Sequence, residues 1–220
     1  MADTGYISPG TMADDSTVGT ISWSNPNNAK ASDGSYAQNT VGPQEDSPVG
    51  CYAQIVKADG SIGSTNKASN TILDSSDTYR TYGDSTELWG ETWTSVNIND
   101  SDFGFVFGVR FYSYFGETYF YSYYLKATNF GFSIPSGATI NGIEISVEQK
   151  QTRGDEGVRI ADVDHIRIKV YYTETSGTNM KINIGDTFKE VPAMKINIGD
   201  TWKDVTAVKQ NIGDTWKDVF

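Results

Sequence analysis

Three near-identical fourteen-residue units end this chain: Met180–Ala193 (MKINIGDTFKEVPA), Met194–Ala207 (MKINIGDTWKDVTA) and Val208–Phe220 (VKQNIGDTWKDVF, one residue short). A fixed period of this kind marks supersecondary units that cannot bury their apolar surface alone and must stack on one another or on other chains. Each copy reads as a β-hairpin, because Gly185-Asp186, Gly199-Asp200 and Gly213-Asp214 suit a two-residue type II′ loop. That loop fixes a register in which Ile184 faces Thr187, Asn183 faces Phe188, Ile182 faces Lys189, Lys181 faces Glu190 and Met180 faces Val191. The same register makes Lys181/Glu190, Lys195/Asp204 and Lys209/Asp218 opposite-charge pairs and Met180/Val191, Met194/Val205 and Val208/Val219 apolar ones, each contributing a few tenths to about 1 kcal/mol. One face then carries the Met, Ile and Val positions, and the other carries Phe188, Trp202 and Trp216 in equivalent places. A hairpin this small is marginal in isolation, so these three aromatics are candidate assembly contacts, within one chain or between chains. The links Pro192-Ala193 and Thr206-Ala207 lack primed-turn residues, which favours hairpins rotated about a common axis over a flat meander.

The chain has 220 residues, 37% of them hydrophobic, which suffices for one good-sized domain beside the tail. Its 28 acidic and 17 basic side chains give a formal charge of −11; the repeats hold six of each sign, so the whole acidic excess precedes residue 180. A body this acidic has no phosphate-attracting footprint, which argues against nucleic acid as a partner. Abundant Gly, Tyr and Phe without Lys-, Glu- and Leu-rich helical stretches is the makeup of an all-β protein with many turns. Cys51 is alone, which excludes an intrachain disulfide and suggests a small buried residue in a strand. The start MADTGYISPGTMADDS has neither a positive n-region nor an apolar h-region, and nowhere do eighteen apolar residues run together. The expectation is a protein without membrane insertion and outside the usual secretory route. For a Tyr-, Ser- and Gly-rich β chain this suggests a virion component made in a host cytoplasm.

Residues 1–19 read as a polar N-terminal arm, ordered only if something holds it. Strand-like runs then follow at Thr20–Ser24, Ser35–Thr40, Gly50–Ala58, Glu87–Val96, Phe103–Phe115, Glu117–Ala127, Thr139–Lys150 and Gly157–Thr173. Alternation is clearest where Phe103, Phe105, Phe107, Val109 and Phe111 share a face, where Ile143, Ile145 and Val147 alternate with Glu144, Ser146 and Glu148, and where Ile166, Ile168, Val170 and Tyr172 alternate with Arg167, Lys169 and Tyr171. With turn residues between the runs and no helical period, the expected fold is all-β. It is a jelly-roll-type antiparallel β-sandwich over 20–173, a polar linker at 174–179 and three hairpin repeats over 180–220.

Several strings carry a resemblance: Trp23-Ser24-Asn25-Pro26-Asn27-Asn28-Ala29, Ser32-Asp33-Gly34-Ser35-Tyr36-Ala37, the run from Tyr124 through Ile134-Pro135-Ser136-Gly137-Ala138 to Ile143, and Asp164–Tyr172. Together they resemble bacteriophage and prophage structural proteins with a carbohydrate-binding-module-like sandwich, and the Ile-Gly-Asp-Thr-Trp-Lys repeats resemble C-terminal repeats of phage and environmental-virus proteins. The resemblance spans most of 20–172 and rests on turn and core motifs, so it implies fold and context and transfers no ligand residue. Gly142 is expected to allow close backbone approach or a bulge.

No catalytic constellation stands out. His165 is the only histidine, and strict alternation would put Asp162 and Asp164 on the face opposite to it. Asp155-Glu156 or Glu144 with Glu148 have the residue types of a glycosidase pair, but solvated strand faces explain them better. Asn97, Asn99, Asp100 and Asp102 form an oxygen-rich cluster of the kind calcium prefers, without the EF-hand pattern; a hydrogen-bonded turn is the commoner outcome. Trp89 and Trp93, four residues apart on an expected strand, with Tyr79 and Tyr82 upstream, form a candidate sugar platform, and core packing accounts for them equally well. Tyr112, Tyr114, Tyr119, Tyr121, Tyr123 and Tyr124 exceed what a monomer interior needs and read as a subunit contact. The expected function is therefore that of a non-enzymatic phage virion component without cofactor, a capsid-decorating, head-fibre or tail accessory protein. Its expected partners are copies of itself, a trimer above all, and other virion proteins. The alternative is a carbohydrate-binding adhesion module that takes a surface glycan.

Overall fold

A computed structural model describes residues 1–43, 47–113, 118–174, 181–184, 187–190, 195–198, 201–204, 209–212 and 215–218. The chain divides into two compact units, Met1–Thr173 and Glu174–Phe220. In the first unit the strands are β1 (Ala2–Asp3), β2 (Thr11–Asp15), β3 (Ala37–Pro43), β4 (Val49–Val56), β5 (Thr78–Gly83), β6 (Gly104–Ser113), β7 (Thr118–Tyr121), β8 (Tyr124–Thr128), β9 (Thr139–Arg153) and β10 (Val158–Thr173). A five-residue helix, α1 (Ser95–Asn99), precedes β6, and short 3-10 turns lie at Pro26–Ala29 and Asp155–Gly157.

These strands make two five-stranded sheets. One runs β1-β10-β9-β5 with β3 also paired to β10; the other runs β2-β8-β6-β4 with β7 also paired to β6. Every pairing between the named strands is antiparallel. Successive strands from β1 to β6 alternate between the two sheets, which is the crossing connectivity of a jelly-roll-type sandwich. The expected alternation builds the core: Phe105, Phe107, Val109 and Phe111 of β6, Ile143, Ile145 and Val147 of β9, and Ile166, Ile168 and Val170 of β10 are all fully buried. Full burial of each such side chain contributes about 1.5–3 kcal/mol.

Four local expectations give way. Residues 1–19 are no free arm: β1 extends one sheet against Tyr171 and Tyr172, Ile7 bridges Ile168, and β2 pairs along β8 in the other sheet. The sandwich therefore begins at Ala2, because backbone groups of β10 and β8 supply the hydrogen bonds that a polar arm would otherwise give to water. Glu87–Val96 is not a strand; the segment turns, with Trp89 at φ 60°, and leads into α1. Thr94 caps that helix, its hydroxyl accepting from Asn97 N while Asn97 Oδ1 accepts from Thr94 N. β5 falls where no strand was expected. Thr20–Ser24 makes only isolated bridges, from Ile21 and Ser24.

On β10 the register shifts between Val163 and His165. Ala161 and Val163 face the core before this bulge, and Ile166, Ile168 and Val170 after it, so Asp162 and His165 fall on the same outer face. A second shift between Tyr171 and Tyr172 adjoins Gly142, in keeping with the close approach expected there.

In the second unit β11 (Lys181–Ile184) pairs with β12 (Thr187–Glu190), β13 (Lys195–Ile198) with β14 (Thr201–Asp204), and β15 (Lys209–Ile212) with β16 (Thr215–Asp218). Lys181↔Glu190, Asn183↔Phe188, Lys195↔Asp204, Asn197↔Trp202, Lys209↔Asp218 and Asn211↔Trp216 stand opposite one another, the register read from the turn residues. The flanking Met180/Val191, Met194/Val205 and Val208/Val219 pairs, and the side chains of Phe188, Trp202 and Trp216, lie outside the described residues.

Candidate functional site

The outer face of the β2-β8-β6-β4 sheet is tiled with tyrosine. Along it Tyr112 and Tyr119 have ring centroids 5.1 Å apart, Tyr119 and Tyr121 6.3 Å, Tyr121 and Tyr52 6.2 Å, and Tyr52 and Tyr124 5.1 Å. The pleat explains the grouping. Residues Val106, Gly108, Arg110 and Tyr112 alternate with the buried phenylalanines of β6, and β7 lays Tyr119 and Tyr121 opposite Tyr112 and Arg110. Tyr52 stands opposite Gly108, where an added Cβ would come within 2.7 Å of the Tyr52 ring, so that glycine lets the phenol lie flat across the strand. Tyr124 donates to Gln54 Oε1 at 3.2 Å, and burial pushes the Tyr52 and Tyr124 phenols above their ordinary range. Arg110 lies 4.5 Å over the Tyr119 ring. Among the described residues Arg110 forms no ion pair, and its Nε is buried without a hydrogen-bond partner. Tyr119 is 46% exposed, the outermost member of the array.

Tyr112, Tyr119 and Tyr121 of the tyrosine-rich stretch lie together on this face, and Tyr114 lies outside the described residues. Tyr123 does not belong: it packs against the sandwich core, and its backbone carbonyl accepts from Trp23 Nε1 at 2.9 Å. Ser122 breaks the expected run Glu117–Ala127 into β7 and β8, its Oγ accepting from Val109 N at 2.9 Å, and that break turns Tyr123 inward. Tyr52 belongs to the array although no residue near it in sequence signals this; only the pairing of β4 with β6 brings it there.

The candidate sugar platform is not assembled. Trp89 and Tyr82 are 1% and 5% exposed and pack edgewise or tilted on Phe105, while Trp93 is 8% exposed and T-stacked on Phe103. Tyr79 points to the opposite side of β5 from Tyr82. Core packing won because the chain turns at Trp89, whose indole donates to Ile143 O at 3.0 Å inside the sandwich. An edge of Trp93 nevertheless lines an open depression of about 370 Å³ together with Lys57, Ala58, Asp59, Glu91, Thr92 and Asn97. Lys57 and Glu91 face each other there at 4.0 Å.

The oxygen-rich cluster is a hydrogen-bonded turn. Asn97 caps α1, Asn99 accepts from Ile134 N at 2.8 Å and donates to Ile134 O at 2.9 Å, and Asp100 accepts from Asp102 N at 2.8 Å. These contacts engage Oδ1 of Asn97, Asn99 and Asp100, and no group of three acidic, His or Cys side chains converges among the described residues. Cys51 is buried, and burial pushes its thiol up to about 12, which makes it an inert core residue.

The outer face of the other sheet holds the second polar cluster. His165 meets Ser8 Oγ through Nε2 at 2.8 Å and the Tyr79 hydroxyl through Nδ1 at 3.0 Å. Burial, then the Arg167 charge, hold His165 below the ordinary histidine range. Asp164, the bulge residue, accepts from Gly34 N at 3.1 Å rather than from His165, so no Ser-His-Asp chain forms. Glu144 accepts from Tyr6, and from Tyr171 at 3.1 Å, with Lys169 at 3.9 Å; these contacts hold it in place on β9, four residues from Glu148. Asp155 and Glu156 occupy an exposed 3-10 turn between β9 and β10.

No family model matches this chain, and neither does any curated protein or solved structure.

Proposed function

We propose that this protein is a non-enzymatic structural component of a virion that works by self-assembly, with the tyrosine face of the β2-β8-β6-β4 sheet as its principal contact. The observation that carries the reading is the array Tyr112–Tyr119–Tyr121–Tyr52–Tyr124 with Arg110 stacked on it. Tyrosine and arginine dominate binding hot spots because each brings large, stiff contact area with a polar end. Asp15, on strand β2 at the edge of the same sheet, is paired with Lys126 at 3.7 Å. Among the described residues Arg110 has no acidic partner, which suits it to meet a carboxylate from outside. A second copy of this acidic chain offers many. The resemblance of the loop strings and tail repeats to phage structural proteins supports a virion setting, and the repeats favour a trimer.

Light scattering on the full-length chain tests the reading. The wild type should run above the 24.1 kDa chain mass at micromolar concentration. Replacing the exposed Tyr119 by Asp should weaken association by about tenfold or more, as loss of an interface aromatic implies, with thermal unfolding of the sandwich little changed. A monodisperse wild-type monomer would sink the idea.

A second reading, glycan binding, is favoured by one observation: the depression beside Trp93 pairs an indole edge with carboxylates, an amide and a lysine, the residue types that grip sugar hydroxyls. A glycan array separates the two readings, since assembly contacts alone give no sugar-dependent signal and a glycan site gives one that Glu91→Gln removes.

A further inference from the structure

Arg167 of β10 is left unexplained by assembly through the tyrosine face. Its guanidinium carbon lies 3.8 Å from the Tyr79 ring centroid and 4.0 Å from that of Tyr6, so an aromatic ring covers each of two sides. Both rings are tied at their phenol ends. Tyr79 is held by His165 Nδ1 at 3.0 Å, and Tyr6 donates to the Glu144 carboxylate. Across the sheet from Arg167 the ladder places Ser146 and then Thr81, side chains too small to fill the space beside the guanidinium.

Like Arg110 of the other sheet, this arginine has no acidic partner among the described residues. Lys57, Lys67, Arg80, Lys126, Lys150 and Lys169 each pair with an acid. Among the described residues Arg167 forms no ion pair, and its Nε is buried without a hydrogen-bond acceptor. In a chain with a net charge of −11, Arg110 and Arg167 are ring-stacked guanidiniums without an ion pair among the described residues, and of the two Arg167 is the one with a ring on each of two sides. Clamped between two rings, it offers an incoming group its edge, the geometry that receives a planar two-oxygen acceptor in a bidentate pair.

We propose that Arg167, held between Tyr6 and Tyr79, is the anchor of a binding site for the carboxylate of a sugar acid, with the exposed Thr81 in line with it across the ladder to meet the sugar's own hydroxyls. A carboxylate fits better than a phosphate. The site supplies one unpaired cation, and Glu148, opposite both His165 and Tyr79 in the ladder, adds a negative charge that repels a dianion more strongly than a singly charged carboxylate. His165, with its two nitrogens engaged by Ser8 and Tyr79, acts as a positioning residue that fixes one wall of the clamp. The site is on the opposite sheet from the tyrosine array and does not depend on assembly.

The test is a titration of the nitrogen-15-labelled full-length chain, following the arginine Nε–H signals by NMR, with the Arg167 signal identified by its loss in Arg167→Lys. D-glucuronate should shift that signal saturably in the millimolar range, whereas D-glucose should leave it in place. Arg167→Gln should weaken glucuronate binding by about tenfold or more, as loss of a charge-assisted pair implies. Tyr79→Phe, which keeps the ring but cuts its tie to His165, should weaken it by a smaller factor. An oligogalacturonate that binds more tightly than the monosaccharide identifies an acidic polysaccharide as the source of the carboxylate, and equal binding identifies the free sugar acid. The proposal is overturned if glucuronate and glucose act alike, if inorganic phosphate binds more tightly than glucuronate, or if Arg167→Gln leaves binding unchanged. The wild-type titration decides even if a variant fails to fold.

Discussion

At Gly142 an added Cβ would lie 2.2 Å from the Ser85 carbonyl carbon and 2.5 Å from the Asp84 oxygen, so the loop after β5 passes directly over this glycine. A lone glycine in a strand pattern is a legible sign of such an approach. His165 was not legible in the same way, because one bulge residue, Asp164, moved it to the face that alternation assigned to Asp162. Its environment makes a pH prediction. Burial and Arg167 lower its affinity for a proton, with Glu148 opposing them and the Tyr79 and Ser8 hydroxyls as its hydrogen-bond partners. The unfolded chain therefore takes up this proton first. Between the ordinary value of about 6.5 and the lower folded value, stability falls as pH falls, and above that window the residue adds no slope. Thermal midpoints of wild type and His165→Gln, compared between about pH 7 and pH 5, should show the variant losing less on acidification. Equal losses would mean that the folded protein holds this histidine at its ordinary affinity.

Among the elements, the repeats were read most fully, since a two-residue loop fixes the whole ladder of a short hairpin and the Lys/acid pairs check it. The ladder β13–β14 ends at Ile198↔Thr201, which leaves Gly199 and Asp200 as the connection. Gly199→Val should destabilise that hairpin by about 1–3 kcal/mol, because a β-branched residue resists the positive φ of a type II′ turn. Hydrogen exchange over 180–220 would report it as lost protection in the middle copy, spreading to its neighbours if the copies stack. Unchanged protection would remove the tight-turn assignment. The segment Glu87–Val96 is the converse case. Two tryptophans four apart suit a strand, yet the Thr94/Asn97 cap and the turn at Trp89 prevailed, since burying both indoles outweighs local alternation.

For the whole molecule, the N-terminal residues tie the layers together, β1 lengthening one sheet and β2 edging the other, so the sandwich closes through a segment whose own sequence is polar. The division at Thr173 sets a further expectation: a chain ending there should keep the sandwich unfolding transition of the full-length protein within a few degrees, because the contacts of the sandwich lie within its own compact unit. Calorimetry on both chains decides, and a large drop in the truncated one would show that the tail holds the sandwich.

What the sequence determined by itself was whatever depends on local period: an all-β chain, the inward faces of β6, β9 and β10, and the register of each hairpin. Side chains alternate every second residue whatever lies across the sheet, and a two-residue turn allows one pairing. Tertiary structure alone decided which distant strands became neighbours. It set Tyr52 of β4 across from Gly108 of β6, drew Tyr6 of the N-terminal segment and Tyr79 of β5 to opposite sides of Arg167, and turned Trp89 inward. Those contacts join residues up to 161 positions apart, and no local pattern encodes them, because they follow from the order in which the two sheets share out their strands.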